Sequence, residues 1–415
     1  MKCRHCAADL AHKFLDLGYA PPSNAYLTKS DLSKPESYYP LKVMVCDQCW
    51  LVQTEDYTEA DDLFNADYAY FSSTSAGWLA HSSQYTEKVI SEFALDSNSF
   101  VIEVASNDGY LLKNFVAAGI PCLGIEPTAS TAAAAEKIGV PVLQEFFGED
   151  LAEQLKREGK QADLIAGNNV YAHVPDINDF TRGLKVALKD GGVITLEFPH
   201  LMQLIRHTQF DTVYHEHFSY LSLHTVSCIF QKVGLKVWNV EELTTHGGSL
   251  RVYGCHDDDS RIVSPKVERM LVNESNDGLQ KLSTYQSFQA RANQVKDDLL
   301  SFLVDQKRLN KTVVAYGAAA KGNTLLNYAG IKPDLLGVVY DAAIAKQEKY
   351  MPGSHIPIRS PDRIEADSVD FVLILPWNIV DEVTDQLSSQ GLIDKDFVTA
   401  IPKLEILKKV KRNEK

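Results

Sequence analysis

The amino-acid sequence predicts an α/β protein in which two Rossmann-like domains follow a small N-terminal metal-binding lobe. Three observations support this. A short apolar strand followed by a tight turn and a helix occurs at residues 99–118 and again at residues 312–326. Two CxxC motifs lie within the first fifty residues. At 415 residues the chain is also too long for one ordinary hydrophobic core, so we expect two or three domains.

Composition and charge restrict the class of protein further. The hydrophobic fraction of 45% and charged fraction of 23% are typical of a soluble globular protein. No apolar run reaches the length of a membrane span, and the N-terminus lacks the hydrophobic segment of a signal peptide. The net charge of −14 argues against nucleic-acid binding, and basic residues 403–415 are expected to form a solvated end. We therefore expect a cytoplasmic protein without nucleic-acid or membrane partners; the sequence does not decide its oligomeric state, although a monomer is compatible.

The paired cysteines predict a structural zinc site formed by Cys3, Cys6, Cys46 and Cys49. Each CxxC turn presents two thiolates to one ion, and two such turns complete the tetrahedron that zinc prefers. A redox-active CxxC is the alternative, but that motif usually occurs once, beside a βαβ pattern. We expect the remaining cysteines to pack in the core: Cys122, Cys228 and Cys255.

The first strand–turn–helix unit has the features of a nucleotide-type binding site. An apolar strand at 99–105 ends in the turn Ser106-Asn107-Asp108-Gly109, and a second strand at 121–125 ends in Glu126. Ligands of doubly wound sheets bind at the carboxyl ends of the strands, and a carboxylate there can accept the hydroxyls of a ribose. The turn is not GxGxxG, which weakens a nicotinamide or flavin interpretation.

Instead, the turn resembles motif I of class I methyltransferases, which implies S-adenosylmethionine as the cofactor. The cofactor-binding residues predicted on this basis are Glu103, Ala105, Ser106, Asn107, Gly109 and Tyr110 in the turn, Glu126 at the ribose, Glu145 and Phe146 as an adenine wall, and Asn168 and Asn169 after the strand at 162–166. We expect Gly109 to permit close approach of the amino-acid end of the cofactor.

A dense polar and aromatic cluster follows the strand at 191–198. It reads Tyr214-His215-Glu216-His217-Phe218-Ser219-Tyr220, which no helical or alternating apolar period explains. Histidine can move a proton near neutral pH, and a phenol can donate to a developing oxyanion. A catalytic or substrate-binding loop is the favoured interpretation; a hydrogen-bonded structural histidine and a metal site remain alternatives.

The C-terminal third repeats the Rossmann-like pattern. Residues 264–310 are expected to form one or two connecting helices, after which a strand at 312–316 leads through Gly317-Ala318-Ala319-Ala320-Lys321-Gly322 into a helix. Backbone amides at such a turn can bind an anion, to which Lys321 adds a positive charge. Strands at 336–341 and 371–375 extend the unit. A structural domain with a non-binding turn is the alternative.

Together these blocks resemble the zinc-containing C-methyltransferases of deoxysugar biosynthesis, which act on nucleotide-linked 4-keto-deoxysugars. The resemblance covers essentially the whole chain and also includes residues 246–251 and 317–324. It implies that His217 is the general base, with Tyr214, Glu216, Tyr68 and His173 at neighbouring active-site positions. The substrate-binding residues expected from it are Tyr220, Arg251, Gly317, Ala318, Lys321, Asn323 and Asp341.

The predicted organisation is a zinc-binding lobe at 1–60, a methyltransferase domain at 61–262, and a C-terminal part at 263–415 that holds the connecting helices and a Rossmann-like substrate domain. The predicted function is methylation of carbon 3 or carbon 5 of a nucleotide-linked 4-keto-6-deoxysugar. The alternatives are O- or N-methylation of a sugar nucleotide or another small metabolite, and an NAD-dependent sugar-nucleotide oxidoreductase.

Overall fold

The computed structural model describes residues 1–55, 71–365, 368–392 and 394–407. The chain forms two compact units. The first unit contains Met1–His12, Met44–Met202 and His217–Leu282, and the second contains Lys13–Val43, Gln203–Glu216 and Ser283–Lys415. Both units are therefore assembled from separate chain segments, and the three-part division at residues 60 and 262 stays a prediction.

The strands of the described residues are numbered in chain order. They are β1 His12–Ala20, β2 Tyr39–Val45, β3 Val52–Thr54, β4 Val101–Val104, β5 Cys122–Ile125, β6 Val142–Leu143, β7 Ala162–Asn168, β8 Leu188–Pro199, β9 Ser219–Tyr220, β10 Leu235–Leu243, β11 Ser249–His256, β12 Val313–Tyr316, β13 Val339–Tyr340, β14 Ile358–Arg359, β15 Phe371–Ile374, β16 Asp396–Thr399 and β17 Glu405–Leu407.

The α-helices of the same residues are numbered likewise. They are α1 Ala76–Phe93, α2 Leu112–Ala117, α3 Ala129–Lys137, α4 Glu149–Arg157, α5 Ile177–Ala187, α6 Leu201–Arg206, α7 Leu223–Val233, α8 Pro265–Asn276, α9 Leu282–Gln286, α10 Phe288–Arg308, α11 Ala320–Tyr328 and α12 Val380–Leu387. Among the described residues, no helix combines the length and the apolar composition that a membrane span requires.

A seven-stranded sheet with the order β10-β11-β8-β7-β4-β5-β6 forms the centre of the first unit. The strands β4 to β8 run parallel, and β11 is antiparallel to both of its neighbours. Because Ser249 at the start of β11 pairs with Pro199 at the end of β8, the segment before β11 lies at the same sheet edge as the carboxyl ends of the parallel strands. This arrangement confirms the predicted Rossmann-like fold and the strands expected near residues 101, 122, 142, 162 and 193.

The helix α1 covers this sheet because one of its faces is apolar. Its Tyr85 and Val89 are buried in a core cluster that also contains Tyr110 and Tyr253. The helix begins at Ser75, whose hydroxyl accepts a hydrogen bond from the Trp78 amide at 3.2 Å. This cap fixes the first turn of the helix, and Trp78 in that turn packs against the same core cluster.

A buried carboxylate fixes the end of the predicted catalytic loop. Glu274 of α8 accepts hydrogen bonds from the backbone amides of Leu223 at 2.6 Å and His224 at 2.9 Å, at the start of α7. It also lies 2.7 Å from Nε2 of His200. A carboxylate that accepts hydrogen bonds from amides at the start of a helix stabilises that helix. Glu274 therefore fixes the position at which α7 begins, three residues after Tyr220.

The second unit contains a six-stranded sheet with the order β14-β13-β12-β15-β16-β17, parallel except for β17. This confirms the second Rossmann-like domain. The strand expected at 336–341 is shorter than predicted, since only Val339–Tyr340 forms it. The prediction of one or two connecting helices was wrong, because α8, α9 and α10 make three.

The three single cysteines do not share one environment. Cys122 and Cys255 are buried, as predicted, but Cys228 is only half-buried. Its Sγ lies 3.8 Å from Nε2 of His224, one helical turn earlier in α7. The prediction that all three pack in the core was therefore wrong for Cys228, which lies near the edge of that helix's buried face.

Candidate active site and metal centre

The four predicted zinc ligands converge in the first unit. The Sγ atoms of Cys3 and Cys49 are 3.5 Å apart, as are those of Cys6 and Cys46, and the four sulfur atoms lie within 4.8 Å of one another. A disulfide would need about 2.05 Å. A zinc tetrahedron with bonds of about 2.3 Å places its sulfurs about 3.8 Å apart. The sulfur positions therefore fit one bound zinc ion.

The two CxxC turns have the same backbone geometry. In the first, the Ala7 amide donates to the Cys3 carbonyl at 2.9 Å, and in the second the Trp50 amide donates to the Cys46 carbonyl at 3.0 Å. Both donor residues adopt a left-handed conformation with φ of 61°. Gln53 adds an amide directed at Cys3 Sγ at 3.3 Å. Donors of this kind stabilise thiolates, as a metal site requires.

The turn after β4 places its residues at the expected cofactor edge. Ala105, Asn107 and Gly109 all have positive φ, at 56°, 50° and 77°. This alternation makes the chain reverse sharply before α2. The amides of Ser72 and Ser73 donate to the side chains of Asn107 and Asp108 at 2.9 and 3.1 Å. The segment just before α1 is therefore held against the predicted cofactor turn by two hydrogen bonds.

The role expected for Gly109 differs from what its surroundings show. A Cβ atom on this residue would lie 3.0 Å from Val140 and 3.1 Å from Ala135, and its φ of +77° already favours glycine. Packing against α3 and the backbone conformation therefore account for this glycine. Its predicted contact with the cofactor remains untested.

Glu126 closes the same turn from the end of β5. Its Oε2 accepts the Asn107 amide at 2.9 Å, and its Oε1 accepts the Thr128 amide at 3.0 Å. Each carboxylate oxygen retains a further lone pair, so a ribose hydroxyl could still be accepted. Beside β6, Glu145 is exposed and Phe146 has 53% of its surface exposed, which leaves the predicted adenine wall accessible.

Several buried polar groups at this edge fit a polar ligand. Among the described residues, the side chain of Asn168 at the end of β7 has no hydrogen-bond partner, although only 7% of the residue is exposed. The same holds for the hydroxyl of Ser106. Burial also raises the pKa of Glu103 well above its ordinary value. Native proteins seldom leave such groups unpaired, so the side chains of Asn168 and Ser106 fit a polar ligand such as S-adenosylmethionine.

The predicted general base lies at the same edge of the sheet. His217 is 8% exposed, and its ring centroid is 4.6 Å from that of His173, at an interplanar angle of 72°. His173 belongs to the short helix Tyr171–His173, which begins two residues after Asn169. Tyr220 contributes a second ring 6.0 Å from His217. The structure thus brings three predicted site residues together near the carboxyl end of β7.

The boundary between the two compact units falls between Glu216 and His217. In the second unit, Glu216 is buried and its Oε1 accepts a hydrogen bond from the Asn24 amide group at 3.2 Å. Burial raises the pKa of Glu216 above its ordinary value. Tyr214 is half-buried in this segment. Tyr68, the remaining predicted catalytic residue, lies outside the described residues.

The turn after β12 is built like the turn after β4. Asp341, after β13, accepts the Ala318 amide at 2.7 Å through Oδ2 and the Ala343 amide at 2.7 Å through Oδ1. Glu126 makes the same two kinds of contact, to the loop of the preceding strand and to the second residue after itself. Gly317 has a φ of +90°, and a Cβ there would lie 2.4 Å from Pro376.

Lys321 belongs to a cluster of polar and charged side chains within the second unit. Its Nζ donates to Asn378 Oδ1 at 2.5 Å and lies 4.9 Å from the centroid of Trp377. The indole N–H of Trp377 in turn donates to the buried Asp211 at 2.7 Å. Burial raises the pKa of Asp211 to about 6, and burial lowers the pKa of Lys321. Asn323 is fully buried, and neither polar atom of its side chain has a partner among the described residues.

Sequence reasoning missed two residues that contact this second turn. The hydroxyl of Tyr26 donates to the Ala318 carbonyl at 2.5 Å, and Lys346 donates to the same carbonyl at 2.9 Å. The Lys346 ammonium also lies 5.4 Å from the centroid of the Tyr26 ring. Nothing in the local sequence around Tyr26 indicates a partner almost three hundred residues away.

Sequence reasoning also missed a buried charge cluster in the first unit. Glu197 is fully buried, 2.6 Å from an Arg251 nitrogen and 2.9 Å from Nε2 of His81. The Thr245 hydroxyl donates to the same carboxylate at 2.9 Å. Arg251, predicted to bind substrate, is only 3% exposed and lies over the ring of Tyr85. Its observed contacts are internal, and its predicted contact with substrate remains untested.

The zinc assignment predicts that Cys6→Ser lowers the zinc content from about one ion per chain to almost none. Loss of a thiolate from a closed tetrahedral site also removes folding free energy, so the melting temperature should fall by roughly 5 °C or more. Metal analysis of the purified protein and a thermal melt measure both effects. The matched control Cys228→Ser should keep its zinc. Full zinc occupancy in Cys6→Ser would contradict the assignment.

Comparison with known proteins agrees with this geometry. A family model named for zinc binding matches residues 3–64, a methyltransferase domain matches residues 78–240, and the C-methyltransferase C-terminal domain matches residues 244–402. The C-methyltransferase NovU of Streptomyces niveus is 31% identical over 406 residues, which cover 98% of this chain and 96% of that protein.

Solved structures resemble only part of the chain. The PH0226 protein of Pyrococcus horikoshii OT3 is 13% identical, with a TM-score of 0.38, and the match covers 48% of this chain and 100% of that chain. The magnesium protoporphyrin IX methyltransferase of Synechocystis PCC 6803, solved with bound SAH, is 13% identical with a TM-score of 0.35, and the match covers 43% of this chain and 83% of that chain. Because both TM-scores are low, the family assignment rests on the sequence matches alone.

The Rossmann-like sheet, the paired cysteine turns and the match to NovU along nearly its full length lead to one conclusion. The chain belongs to the C-methyltransferase family, as an S-adenosylmethionine-dependent enzyme that carries a zinc-binding domain.

Proposed function

We propose that the enzyme methylates carbon 3 or carbon 5 of a nucleotide-linked 4-keto-6-deoxysugar. The observation that carries this proposal is the pair formed by His217 and His173 beside the end of β7. A saturated sugar carbon becomes nucleophilic when a neighbouring carbonyl acidifies its C–H bond and an enolate can form. Methylation of such a carbon therefore needs a ketone beside it and a base that can reach its proton.

His217 is the proposed base. An imidazole is protonated and deprotonated near neutral pH, so it can accept the proton from the carbon next to the ketone and release it to solvent afterwards. The ring of His173 lies edge-on to that of His217 at 4.6 Å and restricts its orientation. Only 8% of His217 is exposed, so bulk water competes little for the proton.

The keto oxygen needs a hydrogen-bond donor while negative charge develops on it. The phenols proposed for this role are Tyr214 and Tyr68, with Glu216 as a neighbouring group that orients the loop through Asn24. Bound S-adenosylmethionine supplies an electrophilic methyl group. The remaining requirements, which are proton removal, orientation and exclusion of water, fall on the chain's own residues.

The turn after β12 is proposed to bind the nucleotide part of the substrate. It presents backbone amides at the start of α11, the ammonium of Lys321 and the buried amide of Asn323, all of which suit a pyrophosphate. Tyr26 and Lys346 extend this polar surface from Ala318. Gly317 and Asp341 shape the turn. With a net charge of −14, the chain otherwise offers little general attraction for phosphate, which favours one specific pocket over nucleic-acid binding.

The proposed base is tested with His217→Asn. Without the imidazole, turnover should fall by a factor of about 100 to 10,000. Exchange of solvent deuterium into the carbon next to the ketone, followed by NMR with S-adenosylhomocysteine present, should fall in parallel. Affinity for S-adenosylmethionine should change little, which separates a lost base from a lost fold.

The matched control is His207→Asn, because His207 is exposed and outside the proposed site. It should exchange and methylate at the wild-type rate. Wild-type deuterium exchange in His217→Asn would exclude His217 as the base.

The proposed nucleotide site is tested with Lys321→Met, which removes the charge and keeps most of the volume. Calorimetric affinity for the nucleotide-linked keto-sugar should weaken by about tenfold or more, since a charge-assisted contact to phosphate contributes about 1.5–3 kcal/mol. Affinity for S-adenosylmethionine should stay unchanged. The exposed Lys311→Met is the matched control. Equal affinity of Lys321→Met and wild type for the sugar nucleotide would contradict the assignment.

A further inference from the structure

A group of aromatic rings lies at the cofactor edge of the first unit. The indole of Trp78 has its centroid 5.3 Å from the imidazole of His246 and 5.9 Å from the phenol of Tyr110. Tyr110 is buried in the core cluster, whereas Trp78 and His246 are half-buried. Trp78 and His246 are therefore the members of this group that can reach a ligand.

Tyr110 and His246 are attached to segments that border the predicted cofactor site, and the ring of Trp78 contacts both of them. Tyr110 directly follows Gly109 of the first turn. The Nε2 of His246 lies 3.1 Å from the side-chain Nδ2 of Asn169, a residue that follows β7. Ligands of such sheets bind across the carboxyl ends of the central strands, so Trp78 and His246 span the two loops between which the amino-acid end of the cofactor is expected.

The chain holds His246 in a costly conformation. Its φ of 53° is left-handed, in a turn where glycines follow it. The preceding Thr245 anchors this turn by donating to the buried Glu197 at 2.9 Å. Left-handed non-glycine residues persist where surrounding contacts enforce them, often at ligand sites. The position of this imidazole is therefore imposed by the fold.

The charges next to these rings are already paired. The Arg251 guanidinium lies 2.6 Å from Glu197 and over the ring of Tyr85, at 4.5 Å from its centroid. His81 stacks on Trp78 with centroids 4.9 Å apart and contacts the same carboxylate. Because Glu197 offsets the positive charge of Arg251, the rings of Trp78 and His246 can accommodate a further cation without strong repulsion.

We propose that Trp78 and His246 form an aromatic wall that recognises the positive sulfonium of S-adenosylmethionine. A cation is attracted to the electron-rich face of an aromatic ring, and among these rings the indole of tryptophan attracts it most strongly. The demethylated product, S-adenosylhomocysteine, carries a neutral thioether in place of the sulfonium and loses this attraction. The wall therefore favours the methyl donor over its product. This inference needs only the dependence on S-adenosylmethionine and does not rest on the proposed sugar acceptor.

Calorimetric titration with S-adenosylmethionine and with S-adenosylhomocysteine tests the wall directly. In Trp78→Leu, affinity for S-adenosylmethionine should fall by about tenfold while affinity for S-adenosylhomocysteine falls by about twofold or less, because only the first ligand is a cation. Trp78→Phe keeps an aromatic face and should retain most of the wild-type affinity ratio. The matched control is Trp238→Leu, a half-buried tryptophan in β10, which should leave both affinities unchanged.

The ratio of the two affinities separates recognition of charge from simple packing. Equal weakening of both ligands in Trp78→Leu, or no weakening of either, would overturn the proposal. If Trp78→Leu does not fold, His246→Leu serves instead, with the same expected loss of selectivity for the cation and the same overturning results. Failure here would leave the deuterium-exchange result for His217 unaffected, so the two proposals fail separately.

Discussion

The architecture of the first unit depends on the ion cluster in which the buried carboxylate of Glu197 contacts Arg251 and His81. A fully buried carboxylate is costly unless charged partners and hydrogen bonds compensate for the lost water. Burial would raise the pKa of Glu197, but His81 and Arg251 outweigh it and hold that pKa below its ordinary value. The cluster joins α1, β8 and β11, and the backbone carbonyl of Glu197 accepts the Asn169 amide at 2.7 Å. One ion cluster thus fixes three elements and the loop that borders the cofactor edge.

The two Rossmann-like turns share one backbone arrangement. In each, an acidic residue after the second strand, Glu126 or Asp341, accepts an amide from the turn and another from two residues beyond itself. The surroundings differ. Beside the first turn lie aromatic rings and neutral polar groups that have no partner among the described residues, which suits a cofactor with a cationic centre. The second has Lys321 and Lys346, which suit a phosphate. Charge placed around a shared backbone therefore separates the two proposed ligands.

Local patterns predicted the parts of this protein that depend on local chemistry. Two features were predicted from stretches of about ten residues or fewer: the apolar strand followed by Ser106-Asn107-Asp108-Gly109, and each CxxC turn. The structure confirms the strand and its turn, and it confirms that the four cysteines converge. Contacts between distant segments left no such signal. Only the folded chain brings Tyr26 to Ala318. In the sequence, Glu197 is one residue of an apolar strand, and its partners Arg251 and His81 lie far from it along the chain. The predicted number of connecting helices was also wrong, because the break between α9 and α10 needs no proline or glycine.

The family match to a C-methyltransferase favours the predicted carbon acceptor over the O-methylation, N-methylation and oxidoreductase alternatives.

The most direct test of the central claim is the atom to which the methyl group is attached. The enzyme is incubated with S-adenosylmethionine carrying a ¹³C-labelled methyl group and a uniformly ¹³C-labelled, nucleotide-linked 4-keto-6-deoxysugar, and the product is examined by NMR. The account predicts a one-bond carbon–carbon coupling between the new methyl and carbon 3 or carbon 5 of the sugar. A labelled methyl bound to oxygen or nitrogen, or no transfer to any such ketone while another acceptor is methylated, would contradict it.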